Sequence, residues 1–282
     1  MTHVVRDATA PSLLRSTLRS SGLIGPATLV AGLVLAAALG PLLWHASASA
    51  TDLTQGLTAP GLAHPMGTDS SGRDVLARFL AGARISILAG VSVAAGSAAI
   101  GIPLGAIAGL RRGWIDRLII ALADIVLAFP QIILAMAVAI GFGAGVVSAC
   151  MGAALGCVPV WIRLVRAEVR VLDERRFVHA ARVSGLPEIA VFGRHIFPHL
   201  APTLLVQAAA VFGSAVVTLA ALSFIGLGAQ IPTPEWGAMI ADGVTSSLTG
   251  AWWVVGFPGA GLFILVVAAN LLADRAQAVV IP

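Results

Sequence analysis

Residues 163 to 200 read RLVRAEVRVLDERRFVHAARVSGLPEIAVFGRHIFPHL and carry seven of the seventeen arginines. Within them Phe177, Ala180, Ala181 and Ser184 recur three and four residues apart, which sets them on one side of a helix. Gly185 tolerates the positive φ on which helices stop, and Pro187 blocks continuation. A second helical stretch, Glu188 to Phe197, leads to Pro198 and Pro202. A short helix with two adjacent alanines can lie in a groove on another protein with the two backbones close together. The competing reading is a solvated basic loop beside lipid headgroups, and the ordered sequence of helix, glycine stop and proline-flanked return favours docking. Because nearly everything around this segment could dissolve in hydrocarbon, it is expected to work in water, against a partner that supplies energy.

Other chemistry-bearing side chains are few. Asp124 lies inside an apolar stretch, seven positions past Arg117 and about 10 Å deeper along a helix. An ionised carboxylate there costs roughly 2.5–3.5 kcal/mol, so it needs a partner, a proton or water. Gln131, seven residues further on, together with Gln207 and Asn270 in other stretches, would line a polar pathway with it; interhelical hydrogen bonds explain each of them equally well. Cys150 and Cys157 would sit about 10 Å apart along one helix, too far to bridge, and are expected to pack as small buried residues. All basic residues are arginine, and without lysine the chain cannot contain a G-x-x-x-x-G-K-[ST] phosphate loop. Any ATP that drives it is bound by another chain. The six histidines fall outside the apolar spans, and neither G-x-S-x-G nor H-E-x-x-H occurs, which argues against an intramembrane enzyme. A secondary transporter or channel would more often show charged relays or inverted repeats.

The elements that must position these residues are membrane helices. Hydrophobic residues make up 58% of the 282, charged residues only 11%, and mean hydropathy is +0.97. A water-soluble surface cannot be built from that composition. Six stretches reach the roughly 20 residues that cross a bilayer: Leu23 to Trp44, Ile85 to Leu110, Ile115 to Gly141, Ala144 to Ile162, Ala201 to Gly228 and Trp252 to Ala273. None alternates as a barrel strand would. The first resembles a secretory signal, with Arg15 and Arg19 before it and Ala46 to Ala50 after it, but its apolar core is too long for a cleaved one, so a retained span is expected.

With a cytoplasmic N-terminus, fourteen arginines fall inside and only Arg73, Arg78 and Arg84 outside. That bias predicts both termini and the 163–200 loop in the cytoplasm, with 45–84 and 230–251 on the outer side. The basic balance is thus a matter of membrane orientation, and no nucleic acid is expected. Gly101, Gly105 and Gly109 offer a flat stripe for close helix contact, and Pro103, Pro130 and Pro159 should bend their spans.

Phe177-Val178-His179-Ala180-Ala181, Gly185 and His195-Ile196-Phe197-Pro198 resemble the EAA loop of permease subunits in bacterial ABC importers. His64 to Asp69, Gly72 to Val75 and Gly82 to Ser86 are similar to the pre-span signature of the C-type permease of dipeptide, oligopeptide and nickel importers. Leu222 to Gly228 and Pro232 to Ile240 match that family after the fifth span, so the resemblance runs from Leu23 to Asp274. It implies an all-α, polytopic protein with six transmembrane helices, of the type I ABC importer permease (MetI-like) fold. The implied plan is a cytoplasmic segment 1–22, a first span 23–44, an outer loop 45–84, a core domain 85–274 with coupling loop 163–200, and a cytoplasmic tail 275–282.

The resemblance further implies a multi-pass subunit of the bacterial cytoplasmic membrane that forms half of a pathway for di- or oligopeptides, nickel chelates and haem being the alternatives. A B-type permease would complete a heterodimer. One or two ATPase subunits would hold ATP and Mg, leaving no cofactor, metal or catalytic residue in this chain, and an extracytoplasmic binding protein would deliver substrate. Phe177, Val178, His179, Ala180, Ala181, Ser184 and Gly185 would couple to the ATPase; Asp124, Gln131 and Gln207 are the pathway candidates. His179 stands where the family usually carries glutamate, so a salt bridge from that position is not assumed, although a neutral imidazole still offers one donor. The tail from Arg275 to Pro282 also departs from the family's usual ending.

Overall fold

Within a bilayer core, main-chain N–H and C=O groups find no water, so a chain this apolar must satisfy them within helices. The computed structural model describes residues 25, 28–29, 31–40, 44 and 47–280. Helix α1 covers Ala31–Gly40, and the rest of the expected first span, Leu23 to Trp44, lies mostly outside the described residues. There follow α2 (Val75–Leu110), α3 (Trp114–Leu127), α4 (Gln131–Phe142) and α5 (Val146–Asp173). Then come α6 (Arg176–Val183), α7 (Glu188–Val191), a π-helical turn (Phe192–Ile196), α8 (Phe197–Phe224), α9 (Trp236–Leu248) and α10 (Trp253–Val280).

Among the described residues, four helical stretches are long and apolar enough to cross a membrane: Val75–Leu110, Val146–Asp173, Glu188–Phe224 and Trp253–Arg275. The span expected from Ile115 to Gly141 is broken, because α3 and α4 meet at 86°. Pro130 has no N–H to continue the ladder and disfavours the helical region at Phe129. By contrast, α2 and α5 run as single helices through Pro103 and Pro159. The expected boundaries also move. The outer loop ends ten residues early, at Val75, where Asp74 caps α2 by accepting from the Ala77 amide at 2.7 Å. The coupling loop contracts, since its first eleven residues continue α5 and its last thirteen belong to α7, the π turn and the start of α8.

The centre of the bundle is the contact between α2 and α5. Gly101, Gly105 and Gly109 are buried on one side of α2, and α5 lies directly against them. A Cβ added at Gly105 would stand 2.8 Å from the Ile162 carbonyl oxygen, and one at Gly109 only 2.7 Å from Val169 Cγ1. Trp161 fills the space beside Gly101 and donates its indole N–H to Ser97 Oγ at 3.0 Å. Around this seam Val93, Ala153, Val165, Val169, Leu200, Ala215 and Leu222 form one continuous core.

A second cluster, with Val75, Val216, Trp236, Met239 and Leu265, joins α2, α8, α9 and α10 at the opposite end from the arginine-rich segment. Polar groups reinforce it. Arg73 reaches Asp69 and Asp242, each at 2.6 Å, with Arg78 3.5 Å from Asp69. Asp74 also meets His64 Nδ1 at 2.7 Å and accepts from the Trp44 indole at 3.2 Å. Glu235 caps α9 through the Gly237 and Ala238 amides and accepts from Ser86. Indole N–H groups complete the cap: Trp236 to the Phe79 carbonyl and Trp253 to that of Thr68.

Because the α2–α5 seam depends on missing side chains, Gly105→Leu should overpack it and destabilise the protein by about 1–3 kcal/mol. Thermal unfolding in detergent is expected to fall for Gly105→Leu, with a smaller change for Gly193→Leu, where a Cβ would meet nothing within 4 Å.

Candidate functional site

The segment between α5 and α8 is held at three points. Val178 is fully buried and Ala181 nearly so, which fixes the inner side of α6 against the bundle. Arg182 donates from Nη2 to Asp173 at the end of α5 (2.5 Å) and from Nε to Glu188 at the start of α7 (2.8 Å). Hydrogen bonds from Glu188 first, then Asp173, push its pKa up, so the clamp stays charged. The Phe177 ring stacks on His199 of α8, with centroids 5.0 Å apart. Helix α6 is thereby tied to both neighbouring spans.

Local sequence explains its end. Gly185 has φ +82°, its amide bonds to the Arg182 carbonyl at 2.9 Å, and Leu186 bonds to that of Ala181 at 3.4 Å. This is a complete Schellman stop, which a left-handed glycine permits. Outward lie Phe177, His179, Ala180, Val183, Ser184 and Gly185, with Val183 89% exposed. The group expected on one outward side is therefore divided: Ala180 and Ser184 face solvent, whereas Ala181, like Val178, faces the bundle.

The intramembrane carboxylate has a partner that sequence reasoning placed elsewhere. Arg163, Arg166 and Arg170 were expected in the polar loop, but α5 carries all three. Arg163 reaches Asp124 at 2.6 Å, and Arg166 and Arg170 both bind Asp116 on the first turn of α3. Two aspartates on α3 thus offset three arginines on α5, which lets the helix extend through residues that hydropathy alone would exclude. The aspartate partners lie 39 to 54 residues away in sequence, so only the alternation of charge on two separate segments hinted at them.

The other pathway candidates are not brought together. Gln131 begins α4 beyond the 86° break and so does not continue the side of α3 that carries Asp124. Its amide donates to Cys157 Sγ at 3.3 Å, in a space left by Gly156. Gln207 is half-buried on α8, and Asn270 donates to Val266 of its own helix. Among the described residues no hydrogen bond joins any two of the four. Cys150 and Cys157 are free thiols, the second buried. Sequence reasoning also gave no role to Asp69, Arg73, Asp74 and Asp242, which the structure joins into the cap at the other end.

Residues 101–282 match the family described as the binding-protein-dependent transport system inner membrane component. The dipeptide transport system permease protein DppC of Alkalihalophilus pseudofirmus is 38% identical over 93% of this chain and 84% of its own length. The glutathione transport system permease protein GsiD of Pectobacterium atrosepticum is 40% identical over 76% of this chain and 71% of its own. Among solved structures, an inward-facing form of the MetNI methionine ABC transporter aligns with TM-score 0.58 at 20% identity, covering 72% of this chain and 96% of that one. The likeness shows an all-α, MetI-like fold.

The division of α6 into an anchored and an exposed side predicts opposite outcomes for adjacent alanines. Ala181→Asp buries an unpaired carboxylate and should reduce the yield of folded protein, whereas Ala180→Asp should leave it near wild type. Size-exclusion profiles of the two variants in detergent check this.

Proposed function

Because the chain belongs to the binding-protein-dependent transport system inner membrane component family, we propose that it is the permease subunit of an ATP-driven importer of di- or oligopeptides. It forms half of the pathway beside a B-type permease. The peptide assignment rests on the relatives named as dipeptide and peptide permeases. Both termini and α6 face the cytoplasm, as the arginine bias implies. The cap built from Asp69, Arg73, Asp242 and Trp236 then faces outward, where an extracytoplasmic binding protein delivers substrate.

The observation that carries this reading is α6 itself: a short helix, exposed along one side and fastened by Arg182 and Phe177 to the two spans it joins. The ATPase subunits hold ATP and Mg and grip the exposed side, centred on Ala180, Val183 and Ser184. Closure of the ATPase pair moves α6 as a rigid lever; α5 and α8 follow, because Asp173, Glu188 and His199 are attached to it. ATP drives the change only through a difference in its affinity for the two states, and α6 is where that difference reaches the membrane. His179 lies on the exposed side and offers a hydrogen bond in place of a carboxylate.

The test separates grip from folding. In proteoliposomes carrying the whole transporter and its binding protein, Ala180→Asp should lower ATP-dependent peptide uptake by about tenfold or more, equivalent to at least ~1.4 kcal/mol of lost contact. The variant should still insert and still pair with the second permease. Unaltered uptake would remove α6 from the coupling role.

A further inference from the structure

Asp124 and Arg163 form an ion pair where none is expected to be open. Asp124 stands ten residues after the start of α3, and Arg163 ten residues before the end of α5, at the same end of the bundle. Each is therefore about 15 Å along its helix from that end, where the apolar part of α5, Val146 to Ile162, gives way to Arg163, Arg166 and Arg170. Their side chains are nonetheless 52% and 55% exposed. A charged pair half open beside the apolar stretch of α5 is poorly placed against lipid, where carboxylate and guanidinium would both lose their solvation. It faces water or a polar occupant.

The surroundings of the pair separate that side from the lipid side. The exposed residues in line with Asp124 are Arg117 and Ala121 on α3 and Ala128 at its C-cap, and on α5 those in line with Arg163 are Val160 and Ala167. The large apolar residues Leu118, Leu122 and Ile125 of α3, with Phe129 just beyond its end, occupy the adjoining stripe. Asp116 provides the contrast: its side chain is only 9% exposed and is held by two arginines, so it is closed to exchange. The deeper pair is open and one to one.

We propose that Asp124 and Arg163 read the two ends of a zwitterionic peptide during passage, the substrate carboxylate moving onto the Arg163 guanidinium and its ammonium onto Asp124. This inference rests on the peptide-importer reading above and deepens it. With no substrate the two side chains neutralise each other, so no unpaired charge waits at membrane depth. With substrate, one ion pair is exchanged for two of the same kind. Binding of that sort is favourable enough to admit the peptide and weak enough to release it. A peptide blocked at one end offers only half of the exchange.

The experiment measures ATP-dependent uptake of three forms of one dipeptide, unmodified, C-amidated and N-acetylated, by the reconstituted transporter with its binding protein. Each ratio is referred to the same ratio for wild type, which cancels the preference of the binding protein. Arg163→Gln should shift the amidated-to-unmodified ratio about tenfold or more toward the amidated form; Asp124→Asn should shift the acetylated-to-unmodified ratio in the same sense toward the acetylated form. A purely structural pair would lower all three equally, and unchanged ratios overturn the proposal.

A second measurement needs no modified peptide. In a Cys150→Ala/Cys157→Ala background of the assembled transporter, Ala128→Cys should react with water-soluble anionic methanethiosulfonate. Adding Arg163→Gln should slow that reaction relative to the cationic reagent. No reaction with either reagent overturns the water-facing placement. Absence of any ATP-dependent peptide uptake by the wild-type assembly would instead sink the importer reading itself.

Discussion

The bundle depends on the close approach of α2 to α5. In lipid no hydrophobic effect draws two helices together, so their association rests on van der Waals packing and on hydrogen bonds between them. Gly101, Gly105 and Gly109 remove the side chains that would hold the helices apart, and the Trp161 to Ser97 hydrogen bond fixes their register. Everything that distinguishes the arginine-rich end is carried on α5, from Arg163 through Arg170 to the Asp173 that anchors Arg182. Its position follows from where α2 lets it sit.

Charge is distributed along that scaffold by the same constraint. Each aspartate on α3 meets an arginine on α5, and Arg182 satisfies a carboxylate on each side of α6. At the other end Arg73 does the same between Asp69 and Asp242, which joins the loop before α2 to helix α9. An apolar protein with few charges uses many of them as bridges between elements. These bridges tie one element to the next.

Much of this was legible in the sequence where the cause is local. The Gly185 stop and the short helix before it follow from chain chemistry within a few residues, as does the interruption at Pro130. The glycine stripe was equally readable, because its meaning depends only on the absence of side chains. Hydropathy, in contrast, cut α5 short at Ile162, since a window of neighbours sees three arginines and not the aspartates that face them across the bundle. The inward turn of Ala181 was hidden for a related reason: on an eight-residue helix, periodicity identifies a side but not which molecule covers it. The joining of Asp69, Arg73 and Asp242 spans 169 residues and has no local signal at all.

The corner between α3 and α4 has one more implication. Where α3 stops, its last carbonyls point onward; where α4 starts, the amides of Gln131, Ile132 and Ile133 precede the first ladder bond, which Leu134 makes to Pro130. Opposite partial charges of two severed helix dipoles thus meet at one bend. Hydrocarbon cannot solvate such groups, so water, or a protein donor for the carbonyls and an acceptor for the amides, must stand there. Because these dipoles belong to the peptide unit itself, they survive any exchange of side chains around them. Descendants of this sequence can reshape the neighbouring surface residue by residue and still inherit the same hydrophilic notch.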